Sequence, residues 1–319
     1  MANYRRNHYV PEWYQRRFLL NDGKEGKFYY LDLHPEIVYL KKRKYVRNSL
    51  LRWGPPRCFC QDDLYTTQFG SWESREIETR FFGKVDSLAP MAVDYFTNFK
   101  HPSVNGNAFN NLVSYMSIQK LRTPKGLSYL SEVVSISDKN KVLFKMQELR
   151  QIYCALWTEC IWSLADASQS ETKFIISDHP VTVYNKTCLP NSKWCLGHRD
   201  PDIALTATHT LFPLSLNRIL ILTNLSWVRN PYGHPRKPRP NFFPFRNTIF
   251  NFTHIQTGRT LSEVEVNEIN YVIKSRAYRH VAAAKKEWLY PENKIPTQQW
   301  GDLGQGYLFM PDPRSITFS

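Results

Sequence analysis

The sequence has no glycine-rich phosphate-binding loop and no paired-histidine metal motif, so neither a P-loop NTPase nor a histidine-based metallohydrolase is indicated. Arg276 and His280 stand one residue short of the arginine-to-histidine spacing typical of one large ribonuclease superfamily. Six cysteines in 319 residues are too few for a disulfide scaffold. Cys58 and Cys60 flank a single residue, and Cys188 and Cys195 are also wrongly spaced for a zinc knuckle, so zinc is not expected. No apolar run is long enough to cross a bilayer and none resembles a signal peptide; the expectation is a cytoplasmic protein with reduced thiols and no membrane partner. Internal repeats are absent as well.

Acid is the other shortage. Against 42 Lys and Arg there are only 28 Asp and Glu, a net charge of +14. Two stretches carry no acid at all. Lys41 to Arg57 holds seven cations interrupted by Tyr45, Leu50, Leu51 and Trp53, and Arg229 to Arg246 holds five among prolines and aromatics. A polyanion is the partner such a surface selects, through counterion release, and nucleic acid is the first candidate. Lys41, Lys42, Arg43 and Lys44 in the first stretch, and Arg236, Lys237 and Arg239 in the second, are the expected phosphate contacts. Phe242 and Phe243 are the expected base-stacking groups. The same stretches also suit plain solvated loops, and a protein partner or a second copy of the chain stays open.

With 42% hydrophobic residues the chain can bury a full core. The pattern predicts an α+β fold: helical layers on a mixed or antiparallel sheet, one compact unit over 1–319, with a basic loop at 229–246 and an extended tail from 291. Strands are expected at 27–32 and 36–40, joined as a hairpin, at 173–177 and 181–184, and at 210–214 and 218–222. Helices are expected after Pro11, over 71–99, over 109–121 with a stop before Pro124, over 138–167, and from a capping box at Ser262 to about 287. Tyr14 and Phe18 share a face of the first helix and should pin the N-terminus.

Several polar residues sit where reactive groups are often presented. His8 lies at the mouth of the first helix. Arg122 follows an apolar helical stretch and points toward the core, where a guanidinium needs a carboxylate or a bound anion; Glu78 or Asp178 could supply the carboxylate. Gln119 is three residues before it on the same face. Asp178 ends a buried strand in a turn set by Pro180, and Asn267 and Asn270 mark an otherwise apolar helix face. For each, a structural role is as plausible as a chemical one. Together they form a kit for phosphodiester chemistry: His8 to exchange a proton, Asp178 to orient it or bind a metal, Arg122 to stabilise phosphoryl charge, Gln119 and Asn270 to fix the site. A divalent ion such as Mg²⁺ would need convergent carboxylates, for which Asp178, Glu78 and Asp86 are the candidates.

His8-Tyr9-Val10-Pro11 with Tyr14 and Phe18, Gln119-Lys120-Leu121-Arg122-Thr123-Pro124, Phe174-Ile175-Ile176-Ser177-Asp178-His179-Pro180, Phe212-Pro213-Leu214-Ser215, and the segment Asn267 to Val281 resemble, in this order, the motifs of the domain of unknown function 4238 family. The resemblance spans nearly the whole chain. It implies a shared fold and a shared polar site, with His8, Gln119, Arg122, Asp178 and Asn270 on motif positions and His179 secondary, but it names no reaction. The resulting expectation is a nucleic-acid-directed hydrolase, a nuclease on RNA or single-stranded DNA, in the manner of a bacterial defence or toxin effector. A noncatalytic binding module with a buried polar network is the alternative, and an enzyme on a nucleotide or small phosphorylated metabolite the third.

Overall fold

The computed structural model describes residues 5–20, 26–40, 43–69, 72–74, 76–100, 105–133, 135, 138–158, 160–195, 200–205, 208–224 and 255–308. Of the expected nucleic-acid contacts, Lys41, Lys42, Arg236, Lys237, Arg239, Phe242 and Phe243 lie outside these residues. In chain order the elements begin with β1 (Arg6–His8), α1 (Glu12–Arg16), β2 (Phe28–Asp32), β3 (Ile37–Leu40), β4 (Arg43–Val46), β5 (Leu50–Trp53), β6 (Cys60–Asp62), β7 (Thr67–Phe69) and β8 (Trp72–Ser74). A helical block follows, α2 (Gly83–Thr97), α3 (Gly106–Leu121), α4 (Pro124–Val133) and α5 (Lys139–Thr158). The remainder is β9 (Ile161–Asp166), β10 (Ile176–Ser177), β11 (Thr182–Asn185), β12 (Thr208–Pro213), β13 (Arg218–Thr223), β14 (Gln256–Thr260), α6 (Glu263–Arg276) and β15 (His280–Ala283). The fold is α+β.

Two sheets carry the body. One has five strands in the order β11-β12-β13-β9-β14, antiparallel except for the parallel β14–β9 pair, and the other four in the order β10-β15-β2-β5. Three small two-stranded pairs stand apart from them, β1-β6, β3-β4 and β7-β8. Side chains of both large sheets and of the helices between them meet in one buried cluster. The N-terminal helix is pinned to it as its pattern predicts: Tyr14 and Phe18 are both fully buried, the Tyr14 ring stacks on Phe212 at 5.5 Å, and its hydroxyl donates to the Pro213 carbonyl at 2.5 Å. Each such ring contributes roughly 1.5–3 kcal/mol by burial.

Five expected elements differ, the strand expected at 173–177 by being confined to Ile176–Ser177. The strands at 28–32 and 37–40 do not form a hairpin, because β2 is the inner strand between β15 and β5 while β3 turns back on β4. The helix expected over 71–99 starts at Ile77, with a π-helical stretch (Ile77–Phe82) leading into α2, and Trp72–Ser74 before it is a strand. The long helix expected to 167 ends at Thr158, and Leu164 belongs to β9, whose five leading residues are all buried. A short run that is apolar on both faces reads the same as a buried helix, and only its neighbours on both sides settle it as a strand.

The helix begun by the capping box also stops early. Ser262 Oγ accepts from Glu265 N and Glu265 returns the bond to Ser262 N, as predicted, but α6 ends at Arg276 with Ala277 extended, and Val281 is in β15. The cause is Asp178, whose carboxylate takes the N–H groups of Tyr278, Arg279 and His280 at 2.6–2.8 Å. Those donors are thereby removed from any further helical turn, and the chain passes into β15 against β10.

Candidate functional site

The residues singled out from the sequence are ordered and mostly buried, but their hydrogen bonds run into the frame of the protein. Gln119 Nε2 donates to the Tyr9 carbonyl at 2.7 Å, and its Oε1 accepts from Arg122 Nε at 2.9 Å and Nη2 at 2.6 Å. Arg122 forks onto Asp86, 2.8 and 3.0 Å, so the buried guanidinium finds its carboxylate there and not in Glu78 or Asp178. Burial opposes its charge, yet the Asp86 carboxylate more than offsets this and raises its pKa. Glu78 accepts from Asn7 Nδ2 at 2.6 Å. Asn270 spans a gap between chain segments, accepting from Ile175 N at 3.1 Å and donating to the Lys173 carbonyl at 2.9 Å.

His8 ends β1, opposite Cys60, rather than opening a helix directly. Its side chain is 11% exposed, Nε2 lies 3.7 Å from Glu12 Oε1, and burial lowers its pKa against the pull of Glu12. Its neighbour Tyr9 is tied to Gln119, and Gln119 to Arg122, whereas the oxygens of Asp178 are occupied by the 278–280 backbone. Burial pushes the Asp178 carboxyl up to about 6, against those three N–H bonds. Among the described residues no group of three or more His, Cys, Asp or Glu side chains converges as a metal-ligand set, and all six cysteines are free thiols.

The residues beside these anchors converge instead. Gln119 is followed by Lys120 and Asp178 by His179, and both side chains reach Asp200. Lys120 Nζ donates to His179 Nε2 at 2.9 Å, to the Val181 carbonyl at 3.1 Å and to Asp200 Oδ2. Three acceptors match the three protons of an ammonium. With Nε2 accepting, the ring proton sits on Nδ1, 2.7 Å from Thr123 Oγ1. Lys125 Nζ donates to Asp200 Oδ1 at 2.6 Å and to the Arg276 carbonyl at 2.7 Å, which occupies two of its three protons.

The local sequence explains the convergence. Leu112, Met116 and Lys120 recur at four-residue spacing on α3, so Lys120 continues a core-facing stripe to the helix end. Thr123 breaks the helix, and Pro124 opens α4 at the position where a missing N–H costs nothing. Gly126 lets the two helices meet: a methyl there would collide with the Lys120 and Leu121 carbonyls. Lys120 and Lys125 are thus held on either side of one sharp corner, around a single carboxylate.

Charge in this cluster is finely set. Burial dominates at Lys120 and, although Asp200 opposes it, lowers the ammonium to about 8. Burial alone would raise Asp200, but the Lys120 and Lys125 ammoniums hold it well below the usual carboxylate range. Burial and the Lys120 charge lower His179 to about 3, so its ring is neutral near pH 7. The group therefore carries two positive charges and one negative.

It forms the polar wall of a cavity of about 460 Å³, whose other walls include Tyr129, Leu149, Ile152, Tyr153, Leu156 and Ile203. An apolar chamber with a few converging polar groups is the usual form of a small-ligand site. Lys120 and His179 stood inside the sequence motifs and the α3 stripe marked the lysine, but Asp200 carried no signal, since nothing local distinguishes it from any loop aspartate.

No helix among the described residues is long and apolar enough to cross a membrane. Comparison with curated proteins and with solved structures gave no match. The family model described as protein of unknown function (DUF4238) matches residues 6–153 and 150–287, and these two segments bracket the N-terminal anchor, the α3–α4 corner, the Asp178–His179 turn and α6. The chain belongs to the DUF4238 family.

Proposed function

We propose that this protein is a nucleic-acid-directed hydrolase that cleaves phosphodiesters of RNA or single-stranded DNA, with its chemistry at Lys120 rather than at His8. The observation that carries the reading is the buried Lys120–His179–Asp200–Lys125 cluster on the wall of an apolar cavity, in a chain of net charge +14. A base seated between Tyr153 and the aliphatic wall would bring its phosphate toward the ammoniums. Water adds to phosphorus, the bond to the leaving oxygen breaks, and Lys120, turning the N–H held at rest by the Val181 carbonyl toward the cavity, gives that oxygen its proton and regains one from the added water. A group that titrates at about 8 suits such an exchange near neutral pH. Lys125, with one N–H uncommitted among the described residues, stabilises the phosphoryl oxygens. His179 and Asp200 orient the amine, and Gln119, Arg122, Asp178 and Asn270 hold the two turns that present it.

The test is cleavage of labelled RNA and single-stranded DNA, with and without Mg²⁺ or Mn²⁺, by wild type and Lys120→Met. Wild type should cut with a pH profile that inflects near 8, and the variant should lose about two to four orders of magnitude and that inflection. Intact substrates under every condition would sink the reading. The cavity volume favours a second one, an enzyme on a mononucleotide or small phosphorylated metabolite. That reading predicts saturable nucleotide turnover with no dependence on polymer length.

A further inference from the structure

Arg276, the last residue of α6, is a buried cation that no carboxylate answers. It is 3% exposed, nearly as closed in as Arg122. Yet where Arg122 has Asp86 and Gln119, Arg276 makes one hydrogen bond among the described residues, from Nη2 to the Cys188 carbonyl at 2.7 Å, besides lying over the Trp300 ring. Its Nε has no partner. A buried guanidinium in that state calls for a bound anion. The place for one is a second chamber, of about 490 Å³, lined by Arg276 together with Lys125, Arg279, Ser275, Asn191 and His34, with no Asp or Glu among its described lining residues. The donors there are unspent: the Ser275 and Asn191 side chains make no hydrogen bond among the described residues, and Arg279 keeps Nη1 open while its Nε and Nη2 hold Asp32. Asp200 answers Lys125, Asp32 answers Arg279 and Asp178 answers the 278–280 amides, so the charge of Arg276 is left over. Two of the end carbonyls of α6, which would repel an anion, are covered, Lys274 O by Ala277 N at 3.2 Å and Arg276 O by Lys125 Nζ at 2.7 Å.

We propose that this chamber is a binding site for a phosphate group, held by Arg276 and Arg279, with Ser275 and Asn191 completing the hydrogen bonds. Lys125, which lines this chamber as well as the apolar cavity, adds its charge. Donors reach the chamber from Lys125, from Asn191 and from 275–279, more than the two oxygens of a carboxylate can take and well matched to a tetrahedral anion. A guanidinium with free N–H groups is the usual partner of phosphate oxygens. The site goes beyond the cleavage reading, because the chamber takes a phosphate whether or not anything is cut. The chemistry is shared by free inorganic phosphate and by a terminal phosphate ester.

Inorganic phosphate is titrated calorimetrically into the full chain at constant ionic strength, with acetate as the comparison anion. Phosphate should bind with a Kd of about 1 mM or tighter, and acetate about tenfold more weakly or worse. Ser275→Ala with Asn191→Ala should weaken phosphate about tenfold, and Arg276→Gln by more. Ser275 is half-buried and Asn191 exposed, so circular dichroism and melting temperature of that double variant without phosphate should match wild type, and it decides the matter if Arg276→Gln does not fold. Displacement of phosphate by ribose 5-phosphate, and not by ribose, identifies the occupant as a phosphate ester; phosphate that ribose 5-phosphate does not displace identifies the free ion. No phosphate binding, acetate binding equal to phosphate, or full affinity in the double variant overturns the proposal. So does affinity lost in Lys120→Met but kept in the chamber variants, which puts the anion in the apolar cavity. Phosphate held in the chamber by a protein that cleaves no nucleic acid removes the hydrolase reading and leaves this one. Cleavage by a protein that takes up no phosphate does the reverse.

Discussion

Asp178 receives three main-chain N–H groups, and an amide cannot replace it. In Asp178→Asn one oxygen becomes an NH2 that faces donors, leaving at least one buried N–H without an acceptor. The loss should be about 2–4 kcal/mol, read as a lower urea midpoint with the slope unchanged. A variant as stable as wild type would mean that the turn at 278–280 holds without the carboxylate. Because burial pushes the carboxyl up to about 6, acid relieves the cost of its ionised form in wild type but not in the amide, so the gap between the two proteins should widen as pH falls from about 6 to about 4.

Among the elements, the α3–α4 corner is the most demanding. Two lysines and a histidine reach one carboxylate only because the second helix starts within contact distance of the first, and Gly126 is the residue that allows it. The contacts a methyl would meet there are backbone carbonyls, which cannot swing away as a side chain can. Gly126→Ala should therefore cost about 1–3 kcal/mol despite its better helix propensity, by calorimetry or chemical denaturation. It should also separate Lys125 from Asp200. A stabilised Gly126→Ala protein would show the corner to be looser than its contacts imply.

At the scale of the molecule, stability should depend on pH through its buried histidines. Burial lowers His179 and His209 to about 3 and His280 to about 4, all from an ordinary value near 6.5. The unfolded chain then binds more protons than the folded one below pH 6.5. Stability is fully present above that pH and is lost as pH falls toward 4 and 3. Asp178 acts in the opposite sense between about 4 and 6, where its raised pKa makes acid relieve the buried charge. Three histidines outweigh one carboxyl, so the melting temperature should fall continuously from pH 7 to pH 4. A flat profile over that range would mean that these rings are solvated in the folded state.

The sequence by itself determined the parts whose causes are local. The capping box at Ser262, the break before Pro124, the pinning pair Tyr14 and Phe18, the apolar runs of β12 and β13 and the α+β class all follow from residues close together in the chain. Tertiary structure decided whatever depends on a distant partner. It fixed which strand β2 accepts as neighbour, that the buried run 161–166 is a strand, and that α6 ends where Asp178 takes its next donors. It also turned Arg122 toward Asp86 and gathered Lys120, Lys125 and His179 around Asp200. Spacing along a chain can report a face or a cap. Which carboxylate meets which cation depends on desolvation and geometry that exist only once the two segments are packed together.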